Sequence, residues 1–392
     1  MSGLGIALPD WPVEPLGSVL VSPEDLTYGI VQPGPAVAGG IPIVRVSNVQ
    51  DGRIDTADPL FVDPAVEAAY SRSRLTGGEL LITLVGTAGE VAIAPGSLTG
   101  WNTARAIGVA RIRPQIGAQW VALCLRSREA KARIASRLNT TVQPTLNLKD
   151  LREVPIPLPP DLVRRGIAAT LGALDDKIDS NRRVITTARQ LARQHYLAGL
   201  ADATVLGVVA ESSTFLNRQR VPLSAKQRSE MPGTVPYYGA TGVFGHVAEP
   251  IFDQVLVLVG EDGSVVNPDG SPVVQYIWGP SWVNNHAHVL VGRQISTELL
   301  MVALEDTDVR PIVTGAVQAK ISMSNLKAHQ IRLPAAHQLE RVESALASLF
   351  AVVRARTDEI GTLTSLRDIL LPELLSGRIR VPEAREAFAE SG

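Results

Sequence analysis

Several features that would mark a 392-residue sequence as a familiar enzyme or a membrane protein are scarce or missing here. There is a single cysteine, Cys124, so neither an intramolecular disulfide nor a cysteine-based zinc site can form, which suits a reducing cytoplasm. Of six histidines only His286 and His288 lie close in sequence, a poor basis for a metal centre. No basic stretch followed by an apolar core opens the sequence, and no apolar run reaches the roughly 20 residues that span a bilayer. A cytoplasmic protein without membrane contact is expected. The GxxxxGK-Ser/Thr phosphate loop is absent, as are an Asn/Asp-Pro-Pro-aromatic motif and a glycine fingerprint between strand and helix, so ATPase and methyltransferase sites are unsupported. Charge is low as well, at 19% charged residues and a net charge of −2. A nucleic-acid partner would need basic groups clustered on one face, or cations contributed by another subunit. Only residues 151–200 are mildly basic, with 8 basic against 5 acidic side chains.

What is present is a repeat. With 45% hydrophobic residues the chain is an ordinary globular protein of two or three domains. Residues 162–200 read as one long helix whose apolar or small residues Leu171, Leu174, Ile178, Ile185, Ala188 and Ala192 follow the alternating three and four spacing of a coiled-coil seam. Adding 175 to each number gives Leu346, Leu349, Val353, Ile360, Leu363 and Arg367, preceded in phase by Val342. The polar interior position of the first seam, Asn181, maps onto Arg356, and polar residues facing each other in such a seam would fix its register. The echo continues upstream, from Gln143, Leu146, Leu148 and Leu151 to Gln318, Ile321, Met323 and Leu326, and from residues 80–91 to residues 254–265. A period this long is a duplicated domain plus helix, not a solenoid.

In chain order, residues 11–17 form a lead-in segment with a shorter counterpart at 205–207. A β-prone run at 41–49 ends at the Asp51-Gly52 turn. Residues 64–74 suit a short helix, and 79–85 and 90–94 are strands joined by the glycine turn 86–89. Trp101-Asn102 is read as loop and 120–138 as one helix. Prolines at 155, 157, 159 and 160 make an extended connector, Asp161 can cap the helix that follows, and that helix is roughly 55–60 Å long. A second globule occupies about 204–334, with a strand at 255–259. A second helix runs from 337 to about 371, where Pro372 breaks it before a short tail. The expected domains are 1–150, a connector and first helix at 151–202, 203–334, a second helix and tail at 335–378, and a terminal tail at 379–392.

The paired connector-plus-helix segments, TVQPTLNLKDLREVPIPLPP leading to LGALDDKIDSNRR and AVQAKISMSNLKAHQIRLP leading to LRDILLPELLSGRI, resemble the specificity subunits of type I restriction-modification systems. The stretches IPIVRVSNVQDGRID, VPYYGATGVFG and GELLITLVGTAG look like that family too. The family's usual glutamine after the proline connector is missing near Arg164 and Arg165, although Gln338 stands at the second site. The resemblance implies an α+β fold in which two α/β target-recognition domains alternate with two long antiparallel coiled-coil helices in a pseudo-twofold internal repeat. It also implies a non-catalytic reader of double-stranded DNA, each domain reading half of a split site while the helices set the spacing. Two methyltransferase subunits would dock on the helices and a motor-nuclease subunit would join them. S-adenosylmethionine and ATP would bind those partners, leaving this chain without a cofactor. On this reading Arg45, Ser47, Asn48, Arg72, Arg74 and Asn102 are candidates to hold base edges or phosphates in the first domain. Tyr237, Tyr238, Thr241, Asn284, Asn285 and His286 are their counterparts in the second. A DNA-binding scaffold outside restriction, or an enzyme using Glu261-Asp262 or Asp175-Asp176, remains open, though acidic residues are common in turns and Asp175-Asp176 is expected on the solvated side of the helix.

Overall fold

The connectors show first how the sequence makes structure, because their prolines cannot enter a helix and instead take the outer place in a two-stranded ribbon. In the computed structural model, which describes residues 11–138, 144–315 and 318–381, strand β1 (Val13–Pro15) pairs antiparallel with the connector strand Pro155–Pro157. Gln143 and most of the 379–392 tail lie outside the described residues. The chain divides into two units, residues 1–178 with 362–392, and residues 179–361.

In the first unit, β2 (Leu26–Tyr28), β3 (Ile41–Val44), β4 (Val49–Gln50), β5 (Arg53–Ile54), β6 (Leu60–Val62), β7 (Leu80–Thr83), β8 (Val91–Ile93), β9 (Asn102–Thr103), β10 (Ile107–Ala110) and the connector strand β11 follow β1. They form an antiparallel sheet β2-β10-β7-β8 and a smaller sheet β6-β3-β9, in which β3 and β9 run parallel. The β4–β5 hairpin closes on Asp51 and Gly52, whose φ angles of 51° and 80° are both positive, as a two-residue primed turn requires. At Gly29 a Cβ would lie 2.2 Å from the Thr103 carbonyl oxygen, so only glycine lets the chain pass β9 there.

The helix expected over 120–138 is two helices, Ala118–Arg126 and Arg128–Ala135. Ser127 between them is extended, and its hydroxyl accepts the Ala130 N–H at 3.1 Å, so a serine that reads as neutral in a helix acts as an N-cap. Trp101-Asn102 is likewise not simply loop, since Asn102 belongs to β9 and is fully buried. Trp120 anchors the core, its indole N–H donating to the Pro157 carbonyl at 2.8 Å.

The second unit repeats this plan. Strands β12 (Thr204–Val208), β13 (Ser213–Phe215), β14 (Val235–Tyr238), β15 (Val243–Val247), β16 (Phe252–Asp253), β17 (Leu256–Gly260), β18 (Val274–Ile277), β19 (Pro280–Val283), β20 (Ala287–Gly292), β21 (Val313–Thr314), β22 (Lys320–Ile321) and β23 (Gln330–Pro334) follow in order. The sheet β13-β20-β17-β18 matches β2-β10-β7-β8 strand for strand, and β12 pairs with β23 as β1 does with β11. The smaller sheet β15-β14-β19-β16 again holds one parallel pair, β14 with β19. Helix Thr297–Glu305 answers Ala118–Arg126, and Met323–Ala328 answers Leu148–Arg152. The duplicated α+β organisation inferred from the sequence is thus the organisation observed.

The long helices are Asp161–Asp202 and Ala336–Leu375. In the first unit Asp175 meets Arg367 at 3.0 Å, and Leu171 shares a core with Leu374 and Leu375. In the second, a Cβ at Gly199 would lie 2.6 Å from Val342, and Ala192, Tyr196 and Leu200 share a core with Val342, Leu346 and Phe350. Rising numbers in one helix thus meet falling numbers in the other, an antiparallel pairing within each unit. Leu171, Ile178, Asn181, Leu346 and Val353 are buried, while Leu174, Ile185, Leu349, Arg356, Ile360 and Leu363 are half-buried.

Four local expectations are corrected. Asn181 and Arg356 do not bond to each other: Arg356 pairs with Glu359 at 2.5 Å, and Asn181 Nδ2 is buried without a hydrogen-bond partner among the described residues. Positions equivalent by duplication are not opposite in an antiparallel pair, and the pairing of Gly199 with Val342 brings Asn181 level with Ile360. Asp175 is not simply solvated, since it lies between Arg126 at 3.2 Å and Arg367 at 3.0 Å. Asp161 is the first helical residue and pairs with Arg164 and Arg165. Pro372 does not end its helix, because it sits in the last turns, where the one carbonyl it leaves unbonded belongs to exposed Asp368. Termination falls at Gly377, at a φ of 67°.

Replacing fully buried Leu346 by alanine is expected to cost about 2–5 kcal/mol in urea denaturation. Ile369→Ala, at a side chain 64% exposed, should stay within about 0.5 kcal/mol of the parent.

Candidate nucleic-acid interface

The smaller sheet of each unit carries most of the candidate readers, and burial sorts them. After β3 the chain makes a 3-10 turn, Val46–Asn48, in which the Arg45 N–H donates to Asn48 Oδ1 at 2.8 Å. That bond holds Asn48, only 7% exposed, inside the turn and leaves Ser47 exposed beside it. The Arg45 guanidinium donates to the Asp58 carbonyl at 2.8 Å. Asn102 donates to Glu67 Oε1 at 2.9 Å and to the Tyr70 carbonyl at 3.1 Å, and its own oxygen accepts the Thr103 N–H. Glu67 also receives a two-pronged bond from Arg74, at 2.8 and 2.6 Å. That bond holds the Glu67 carboxyl below its ordinary range, against burial and with help from Asn102. Arg72 donates to the Glu24 carbonyl, and Arg111 ties the Arg72 and Arg74 carbonyls together. Arg74 and Asn102 thus meet through Glu67, whereas Arg45, Ser47 and Asn48 form a separate turn.

In the second unit Tyr237 is buried, its hydroxyl accepting the Leu223 N–H at 3.0 Å while Arg228 lies 5.1 Å over its ring. Tyr238 is half-buried, and burial pushes its phenol up. Thr241 is exposed. Asn284, 5% exposed, accepts the His286 N–H at 2.8 Å. Exposed His286 holds Asp262 at 2.6 Å, and the Asn285 carbonyl accepts from Arg220 at 3.2 Å.

Arg220 also grips Glu261 at 2.8 Å, with Lys320 at 3.5 Å. Burial alone would raise the Glu261 carboxyl, but the Arg220 hydrogen bond, with lesser help from neighbouring groups that include Lys320, outweighs it and keeps the carboxyl below its ordinary range. Behind it, fully buried His288 accepts from Asn217 Nδ2 at 2.8 Å through Nδ1 and faces the Ile321 carbonyl at 2.8 Å through Nε2. A carbonyl can only accept and an amide N–H only donate, so the ring is neutral with its proton on Nε2. Glu67, Arg111, Arg220 and Lys320 were not singled out in the sequence, because their partners lie far away along it. Glu261-Asp262 therefore serves to tie loops together. Among the described residues no group of His, Cys, Asp or Glu could hold a metal ion, and no helix is long and apolar enough to cross a membrane.

Residues 35–189 match the family described as Type I restriction modification DNA specificity domain, a span that contains β3, β9, their reader candidates and the start of the first seam. That match covers most of the first domain and of the first long helix, and its description is that of a DNA-specificity domain. Among named proteins the chain is similar to the type I restriction enzyme EcoBI specificity subunit of Escherichia coli, at 31% identity over 153 residues, covering 38% of this chain and 32% of that protein. The chain thus spans about a third of the length of that curated relative. The crystal structure of a type I restriction-modification S subunit from M. genitalium shares its fold, with a TM-score of 0.57 at 16% identity, over 95% of this chain and 98% of that one.

Burial holds the pKa of His288 below its ordinary 6.5, so the folded state binds that proton more weakly than the unfolded chain does. The stability this neutral ring contributes is complete above about pH 6.5 and is lost as pH falls below it. Urea midpoints should therefore drop between pH 7.5 and pH 5.5, and His288→Gln should shrink that drop. It should not abolish it, since burial lowers His329 as well.

Proposed function

We propose that this chain is the non-catalytic DNA-specificity subunit of a type I restriction-modification complex. Each of its two domains reads one half of a split site in double-stranded DNA, and the long helices set the interval. The observation that carries this reading is the duplication itself: two domains with the same sheet order, each followed by a 40-residue or 42-residue helix, are suited to two similar tasks at a fixed separation. Within the domains Ser47, Arg72, Arg74, Thr241, Asn285 and His286 keep exposed surface for bases and phosphates, with half-buried Arg45 and Tyr238 beside them. Asn48, Asn102, Tyr237 and Asn284 hold the loops in shape. A net charge of −2 makes phosphate neutralisation a shared task, with much of the cationic surface contributed by partners.

Two methyltransferase subunits dock on the helices, and a motor-nuclease subunit joins them. In the second unit a groove of about 380 Å³ runs between the helices, lined by Val184, Ala188, Leu191, Leu349 and Val352, and Leu191 is 41% exposed. Such a groove suits the apolar face of a partner helix. S-adenosylmethionine, ATP and the flipping of the target base belong to those partners. The match of residues 35–189 to a DNA-specificity domain supports this division of labour.

Methylome sequencing of a host with and without the gene is expected to reveal one asymmetric two-part motif with a constant gap that disappears with the gene. A contiguous motif, or no change, would refute the reading. Leu191→Asp with Val352→Asp should abolish co-purification with the methyltransferase while leaving the melting temperature of the chain unchanged.

A further inference from the structure

Phe244 is 64% exposed, and its position is built rather than incidental. Along β15, Val243 pairs with Tyr238 and Gly245 with Tyr237, which leaves Phe244 as the extra residue of a β-bulge. A bulge re-aims the side chain it carries. The ring lies over Gly239, where a Cβ would sit 2.4 Å from Cε2 and 2.5 Å from Cδ2, with Asn284 Nδ2 at 3.3 Å. Any other residue at 239 would displace it. The ring therefore packs against the Gly239 backbone and leaves the rest of its surface open to a partner.

The other domain supplies an independent parallel. Strand β6 holds the same outer place beside β3 that β15 holds beside β14, and it exposes Phe61 at 38%. Among the described phenylalanines these two are the exposed ones; Phe215, Phe252 and Phe350 are buried or half-buried. Both project from the outer strand of the small sheet that carries the reader loops.

We infer, resting on the DNA-reading role proposed above, that Phe244 contacts a base of the half-site read by the second domain. Its ring packs on a thymine methyl group in the major groove or wedges between neighbouring base pairs. Both use the same apolar surface, and both discriminate by what the base offers in return.

The test uses the full chain assembled with its methyltransferase, a duplex carrying the motif found by methylome sequencing, and a scrambled duplex of equal length. Phe244→Ala and Gly239→Ala are each expected to weaken motif binding on the order of tenfold, with scrambled-duplex binding, assembly and melting temperature unchanged, and Phe244→Trp should retain most of the affinity. Uracil in place of thymine in that half-site reproduces the loss for wild type if the contact is to the methyl group. If it does not, 2-aminopurine at the half-site brightens on binding of wild type and not of Phe244→Ala, which identifies the wedge. The inference falls if Phe244→Ala binds the motif like wild type, or if it loses assembly with the methyltransferase instead. A wild-type protein that fails to prefer the motif over the scrambled duplex would refute the DNA-reading role itself.

Discussion

The largest hydrophobic core of each unit is closed by side chains from the other copy of the repeat. In the first unit Leu374 and Leu375, from the end of the second long helix, join Ile167, Leu171 and Trp120. In the second, Ala192, Tyr196 and Leu200 of the first long helix join Val342, Leu346 and Phe350, and the Tyr196 hydroxyl donates to the Arg332 carbonyl at 2.8 Å. Fully burying one leucine contributes about 1.5–3 kcal/mol, against a total stability of roughly 5–15 kcal/mol for a domain. Deprived of the opposite helix, either core would lose a large share of that margin. The helices are therefore part of both domains, and the seam between them is a condition of folding.

The surface loops rest on this frame through a different kind of bond. Asn48, Asn102 and Asn284 spend their amides on neighbouring backbone or on Glu67, and Arg220 gathers Glu261 with the carbonyls of Asn285 and Ala287. Buried polar groups left unpaired are costly, so these networks hold the loops in one conformation. A preorganised loop loses less conformational freedom on meeting a ligand. Asn48 and Asn284 thus fix the turns that carry Ser47 and Asn285, while Asn102 ties β9 to Glu67.

The architecture was legible because its signals are periodic or local. The constant offset of 175 residues marks the duplication, the three and four spacing marks the helices, and Asp51-Gly52 marks a hairpin that has the backbone angles expected of it. The misreadings share one cause, tertiary context. Ser127 looks like a helix interior until its hydroxyl is seen capping Ala130, and Asp175 looks solvated until Arg126 and Arg367 arrive from distant segments. Asn102 cannot be recognised as buried from its neighbours, because its partner Glu67 lies 35 residues away. Phe244 was passed over because a lone exposed aromatic has no sequence signature. Only the bulge and the glycine beneath its ring distinguish it.

The exchange of core residues between the repeats also orders events on the ribosome. The first core is complete only when Leu374 and Leu375 have been made, about 200 residues after the chain has left that unit at Ile178. At ordinary elongation speeds the nascent first domain waits roughly 10–40 s with an apolar face uncovered. During that interval the uncovered face of the first core is open to wrong contacts, which the arrival of Leu374 and Leu375 ends.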